Sequence, residues 1–110
     1  MSIIVTCNAG STNTKLAAFD AKTLERKAHA QTHGSAETTE WLCSVGSLGI
    51  VAIGHRIVHG GRDFTHPALI TDAVVERLND YTALAPLHQP KALILLESTR
   101  KLYPLSLIHI

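Results

Sequence analysis

The chain has 110 residues, 45% hydrophobic and 17% charged, with a formal net charge of +1. That is enough apolar side chain for one modest domain with a core of its own, and not for two. A balance this close to neutral gives no strong field for nucleic acid or a membrane surface, and no stretch approaches the ~20 apolar residues of a membrane span.

The first predicted element is a strand over about 2–8, carried by Ile3-Ile4-Val5. It opens into Asn8-Ala9-Gly10-Ser11-Thr12-Asn13-Thr14-Lys15. Gly10 permits a tight turn and close approach of backbone to a ligand. Consecutive N–H groups in such a turn can form a nest for an anion. Ser11, Thr12 and Asn13 add side-chain donors, and Lys15 adds a positive charge. A second strand over 14–20 follows, so the unit is strand–turn–strand. The common phosphate loop is excluded, because it needs two glycines and a helix directly after the loop. An ordinary hairpin and a phosphate-binding turn both remain open on pattern alone. After a turn at Ala21-Lys22-Thr23, a third strand over 24–31 completes an antiparallel meander. Lys22, Arg26 and Lys27 form a short basic stretch, expected on a solvated strand edge.

A helix is predicted over 36–46, with Ser35 as N-cap and Trp41 and Leu42 facing inward. Residues 50–58 begin as the continuous apolar run of a strand covered on both faces. This segment ends in Gly54-His55-Arg56-Ile57-Val58-His59-Gly60-Gly61. A charged Arg56 near the end of such a run is rarely left buried and unpaired. It serves either an internal ion pair or an anionic ligand, whose carboxylate or phosphate a guanidinium fork can meet with two parallel hydrogen bonds. Thr71 or Asp72 can cap a helix over 73–82, where Val74 and Leu78 stack at i,i+4. Pro90 suits the first turn of another helix, with Ala92, Leu95, Leu96 and Leu102 on one side. Leu107-Ile108-His109-Ile110 has the composition of a strand start.

Seven histidines invite a metal reading, which spacing argues against. His55 and His59 are four apart on an extended segment, about 13 Å from one another. His29, His33 and His66 are scattered, with exposed positions expected. Cys7 and Cys43 have no CxxC spacing, which fits a reducing cytoplasm and gives no metal signature. Cys7 is expected as a small core residue. The start of the chain lacks the basic residues and the long apolar run of a signal peptide. A cytoplasmic location is the expectation.

Three blocks together resemble the acetate kinase (acetokinase) family. Asn8-Ala9-Gly10-Ser11-Thr12-Asn13-Thr14-Lys15 resembles its first signature, and Gly54-His55-Arg56-Ile57-Val58-His59-Gly60-Gly61 its second. Leu84-Ala85-Pro86-Leu87-His88-Gln89-Pro90 looks like a third stretch, with Gln89 in place of Asn. Phe64 and Leu69-Ile70-Thr71-Asp72 also sit where the family has similar residues. The resemblance covers about residues 3–103 and is weakest over Leu24–Ser47. Ala9 favours the acetate or propionate branch over butyrate kinases.

The resemblance implies an α/β fold, the truncated N-terminal part of an actin-like ATPase and sugar-kinase (ribonuclease H-like) domain. It implies transfer of the ATP γ-phosphate to acetate, giving acetyl phosphate and ADP, with Mg²⁺ (or Mn²⁺) as the metal. Arg56 matches the substrate-binding arginine, and Val58 and Leu87 match walls of the pocket for the acetate methyl. Lys15 matches the ATP-contacting lysine, Ser11 and Thr12 the phosphate loop, and Asn8 the residue at the metal site. His88 borders the acyl pocket or pins its loop. Asn13 stands for a usual Ser and Thr14 for a usual Leu.

Residues 1–104 are then a partial N-terminal acetokinase domain, and 105–110 a tail that does not match the family. The family's catalytic aspartate lies in a Phe-Asp-Thr-Ala-Phe-His stretch absent from this chain. The 110 residues are therefore expected to be inactive alone. Full-length members are homodimers. The strand near 50–58 is expected to lack its later parallel neighbours and leave an open apolar edge. A non-catalytic nucleotide- or anion-binding module of the same superfold is the alternative of a different class.

Overall fold

A computed structural model describes residues 2–10, 12–56, 66, 68–82, 89–102 and 106–109. The chain runs β1 (Ile3–Ala9), β2 (Thr14–Asp20), β3 (Arg26–Thr32), α1 (Gly34–Gly46), β4 (Ile50–Arg56), β5 (Ala68–Leu69), α2 (Asp72–Asp80), α3 (Gln89–Leu102) and β6 (Ser106–His109). The strands form one sheet in the order β3-β2-β1-β4-β6-β5. The meander β1-β2-β3 is antiparallel, and β1 and β4 pair in parallel.

Alternation along the strands puts Ile3, Val5, Cys7, Leu16, Ala18 and Ile53 on one face. These side chains pack with Leu42 and Val45 of α1 and Leu95 of α3. A second cluster joins Ile70, Leu78 of α2 and Ala92, Leu93 and Leu96 of α3. Leu42 is buried and Trp41 packs against the core from a half-buried position. Val74, expected to stack with Leu78, packs on the cluster that contains Leu78. The two clusters flank α3, so this helix ties α1, α2 and the sheet together.

Side-chain contacts fix one turn and two helix starts. At the β2–β3 turn the Asp20 carboxylate accepts from the N–H groups of Lys22 and Thr23 at 2.8 and 2.9 Å. Those hydrogen bonds hold the Asp20 carboxyl below its usual range. Leu24 closes the same turn with φ of 60°, in the left-handed region.

At α1 the N-cap is His33 and not Ser35, which lies inside the helix. The His33 N–H donates to Glu37 Oε2 at 2.9 Å. At α2 the cap is Thr71, whose hydroxyl accepts from the Val74 N–H.

The expectation of an open edge beside β4 is corrected. β6 pairs with β4 in parallel, and the two-residue β5 pairs antiparallel with β6. The composition of 107–110 did point to a strand, and it is this strand that covers β4. No helix among the described residues is long and apolar enough to cross a membrane.

Candidate functional site

Register brings Asn8, Lys15 and Arg56 to the same end of the sheet. Asn8 of β1 faces Lys15 of β2 on one side and Arg56 of β4 on the other. The row continues from Lys15 to Gln31 of β3, and from Arg56 to the backbone position of His109 in β6. Residues opposite one another in a ladder share a face. The row one residue earlier, Leu16, Cys7 and His55, is buried under the helices. Lys15, Asn8 and Arg56 therefore present to the face opposite α1 and α3.

Across three adjacent strands, Lys15 and Arg56 have Cα atoms about 10 Å apart. Both side chains are exposed, and Asn8 between them is half-buried. Two long cationic side chains with an amide between them can converge on one anion of carboxylate or phosphate size. No described carboxylate pairs with Arg56, so the ion-pair alternative finds no support among the described residues.

The turn between β1 and β2 adjoins this row in the chain. Its closing bond runs from the Gly10 N–H to the Asn13 carbonyl at 2.8 Å. A Cβ on residue 10 would lie 3.0 Å from that same Asn13 oxygen, so any larger residue would push that carbonyl back by a few tenths of an ångström. The Gly10 N–H is thus engaged within the turn. Thr12 is exposed. Asn13 donates from Nδ2 to Gln31 Oε1 at 3.4 Å, and His33 Nδ1 lies 3.2 Å from the Thr12 carbonyl.

Behind Arg56 the next side chain inward is His55. It is buried, and its Nε2 lies 3.0 Å from Thr99 Oγ1 of α3. The Thr99 hydroxyl donates to the Leu96 carbonyl at 3.0 Å. Its oxygen is therefore left to accept from His55 Nε2–H, which fixes the neutral tautomer. Burial pushes the imidazole down from 6.5 to about 4. Cys7 is also buried, and burial pushes its thiol up to about 12.

Of the residues singled out in the sequence, Asn8, Lys15 and Arg56 are brought into one row, with Thr12 in the adjoining turn. Ser11, Val58 and Leu87, like His59 and His88, lie outside the described residues. Sequence reasoning missed His33, Gln31 and Thr99. The signal for the first two was the meander itself, since counting back across the β2–β3 turn sets residues 31–33 beside 13–15.

A metal shared in this row has few protein donors. Among the described residues no group of three His, Cys, Asp or Glu side chains could hold an ion. Asn8 and Thr12 offer neutral oxygens, flanked by two cations. That donor set fits a Mg²⁺ held chiefly by phosphate oxygens and water.

The chain is similar to known proteins in family pattern, in sequence and in fold. The family model of the acetokinase family matches residues 3–109. An acetate kinase of Corynebacterium efficiens is 46% identical over 66 residues, 60% of this chain and 17% of that protein. An acetate kinase of Vibrio vulnificus is 48% identical over 58 residues, 53% of this chain and 15% of that protein. The chain therefore matches only about a sixth of the length of these relatives.

A propionate kinase structure from Francisella tularensis superposes with a TM-score of 0.80 at 26% identity, covering 99% of this chain and 36% of that one. The Porphyromonas gingivalis acetate kinase structure gives 0.79 at 22% identity, with 99% and 37% covered, a likeness of fold. The fold is the expected one: an α/β, truncated N-terminal part of an actin-like ATPase and sugar-kinase domain.

Proposed function

The chain belongs to the acetokinase family, and from that membership we propose that it supplies the anion-binding part of an enzyme moving the ATP γ-phosphate to acetate. The observation that carries this reading is the row Lys15–Asn8–Arg56, with the Gly10–Asn13 turn beside it.

A carboxylate is a weak nucleophile that repels the polyphosphate it must attack. Phosphoryl transfer depends mostly on positioning and on charge stabilisation. Arg56 holds the acetate oxygens through two parallel hydrogen bonds and aims one of them in line. Lys15 draws the phosphates from the other side of Asn8. Ser11 and Thr12 are proposed to donate to phosphate oxygens, and Val58 and Leu87 to wall the methyl pocket. Asn8 would hold Mg²⁺ (or Mn²⁺), chiefly through water, and the ion would supply charge neutralisation at the phosphates.

Turnover is proposed for the whole protein and not for residues 1–110 alone, because the family's aspartate stretch is absent from them. The domain reading is the same proposal: residues 1–104 are a partial catalytic half, and the family match runs on past them to residue 109. Homodimers and a cytoplasmic location are further proposals for the whole protein.

Propionate is the second reading for the substrate, favoured by the Francisella neighbour. A pure anion-binding module is the non-enzymatic alternative. Trapping acetyl phosphate as the hydroxamate tests all three. The full-length protein is expected to form it from ATP, Mg²⁺ and acetate, the Arg56→Ala variant to lose most turnover, and the 110-residue chain to form none. Unchanged acetate kinetics in Arg56→Ala would refute the role of Arg56. A lower KM for propionate than for acetate would move the substrate reading. No turnover with either acid would leave the binding module.

A further inference from the structure

We infer that His33 is a positioning residue of the β1–β2 turn, an inference that rests on the phosphate reading of that turn. His33 has an exposed ring on a fixed base. Its preceding residue, Thr32, is buried with its hydroxyl 2.7 Å from that of Thr38. Thr38 in turn lies 3.0 Å from the Gly34 carbonyl, to which its hydroxyl donates. Gly34 has φ of +81°, a sharp change of direction open to glycine. The N–H of His33 is held by Glu37. Both sides of the residue are therefore anchored, and the imidazole is carried to the Thr12 carbonyl at 3.2 Å.

A carbonyl oxygen only accepts, so Nδ1 of His33 carries the proton in this contact. The consequence reaches the anion side of the turn through peptide geometry. A trans peptide is planar, with its C=O and N–H on opposite sides. Holding the Thr12 oxygen therefore also fixes the direction of the Asn13 N–H. The Asn13 side chain is itself tied, donating to Gln31. A four-residue turn of small polar side chains has many conformations to lose on binding. Donors set before the ligand arrives bind it more tightly, because that ordering is already complete. His33 thus acts on phosphate through Thr12 and Asn13, without touching it.

The test is a titration of the 110-residue chain with inorganic pyrophosphate, followed in ¹H–¹⁵N spectra, for wild type, His33→Phe and His33→Asn. The amide nitrogen of Asn can take the place of Nδ1 and restore the donor. Loss of one such hydrogen bond predicts about fivefold weaker binding in His33→Phe. His33→Asn is expected to stay near wild type. Long-range ¹H–¹⁵N spectra of the wild-type ring are expected to show Nδ1 protonated and Nε2 bare in the neutral form. Equal affinity in wild type and His33→Phe, or a bare Nδ1, would overturn the role of His33 and leave the phosphate reading standing. No response of residues 10–15 in the wild type would overturn both. Should His33→Phe lose its folded spectrum, the tautomer of the wild-type ring decides.

Discussion

His55 and Thr99 are joined across the sheet–helix interface, Nε2 to Oγ1 at 3.0 Å, one residue from Arg56. The alternation of β4 makes these two neighbours opposites. His55 faces inward and locks the end of the strand to α3, while Arg56 faces the open side. The lock is neutral, and its donor and acceptor are both satisfied. Burial of that ring makes stability depend on pH.

The folded imidazole titrates near 4 against 6.5 when free. Between those values the unfolded chain binds a proton that the folded chain refuses. The unfolded state holds more protons there, so stability falls as pH drops through this window and is unaffected by His55 above it. The loss is about 3 kcal/mol by pH 4. Urea unfolding at about pH 7 and pH 4.5 measures it. His55→Gln, which keeps a donor for Thr99 and cannot titrate, is expected to flatten the slope; an unchanged slope would assign the loss to other groups.

The two thiols differ in access. Cys7 is buried in the sheet core and held protonated, while Cys43 is exposed on α1. A disulfide reagent at about pH 8 is expected to label Cys43 quickly and Cys7 only after denaturant is added. Rapid labelling of Cys7 in the native chain would show that the core opens between the sheet and α1.

Leu24 occupies the left-handed region with its side chain 66% exposed. The conformation costs a leucine more than an asparagine, which adopts it readily. Leu24→Asn is expected to raise stability by about 1 kcal/mol. A lower urea midpoint would mean that the leucine packs against something the exposed turn conceals.

Thr71 caps α2 by accepting from Val74 N–H at 3.3 Å. Thr71→Ala is expected to cost about 1 kcal/mol. Thr71→Ser, which keeps the acceptor, is expected to recover most of it. Equal losses in the two variants would point to the lost methyl group and away from the cap.

Much of this fold was legible because its signals are local. Ile3-Ile4-Val5, the 14–20 pattern and the turn at 21–23 specify a meander by composition and spacing alone. Thr71 was legible as a cap for the same reason. What escaped was non-local. The pairing of β6 with β4 joins residues about fifty positions apart, and the short β5 exists only as a partner of β6. The start of α1 moved from Ser35 to His33 because Glu37 reaches back to the His33 N–H, a contact at odds with the usual cap preference.

The site divides along the same line. Asn8, Lys15 and Arg56 each stood out by residue type, but only register sets Asn8 between the two cations. His33 carries no such mark, since its role comes from where the third strand ends. Thr99 was hidden for a similar reason: nothing in a helical pattern says which hydroxyl meets a histidine from a distant strand.

In the proposed function Arg56 takes the carboxylate while Lys15 and the adjoining turn take the phosphates. Its most direct test is a pair of titrations of the 110-residue chain, with acetate and with ATP–Mg²⁺, comparing wild type with Arg56→Ala by ¹H–¹⁵N spectra. The prediction is that Arg56→Ala loses the response to acetate and keeps the response of residues 10–15 to ATP. An acetate response that survives in Arg56→Ala would show that the carboxylate binds elsewhere.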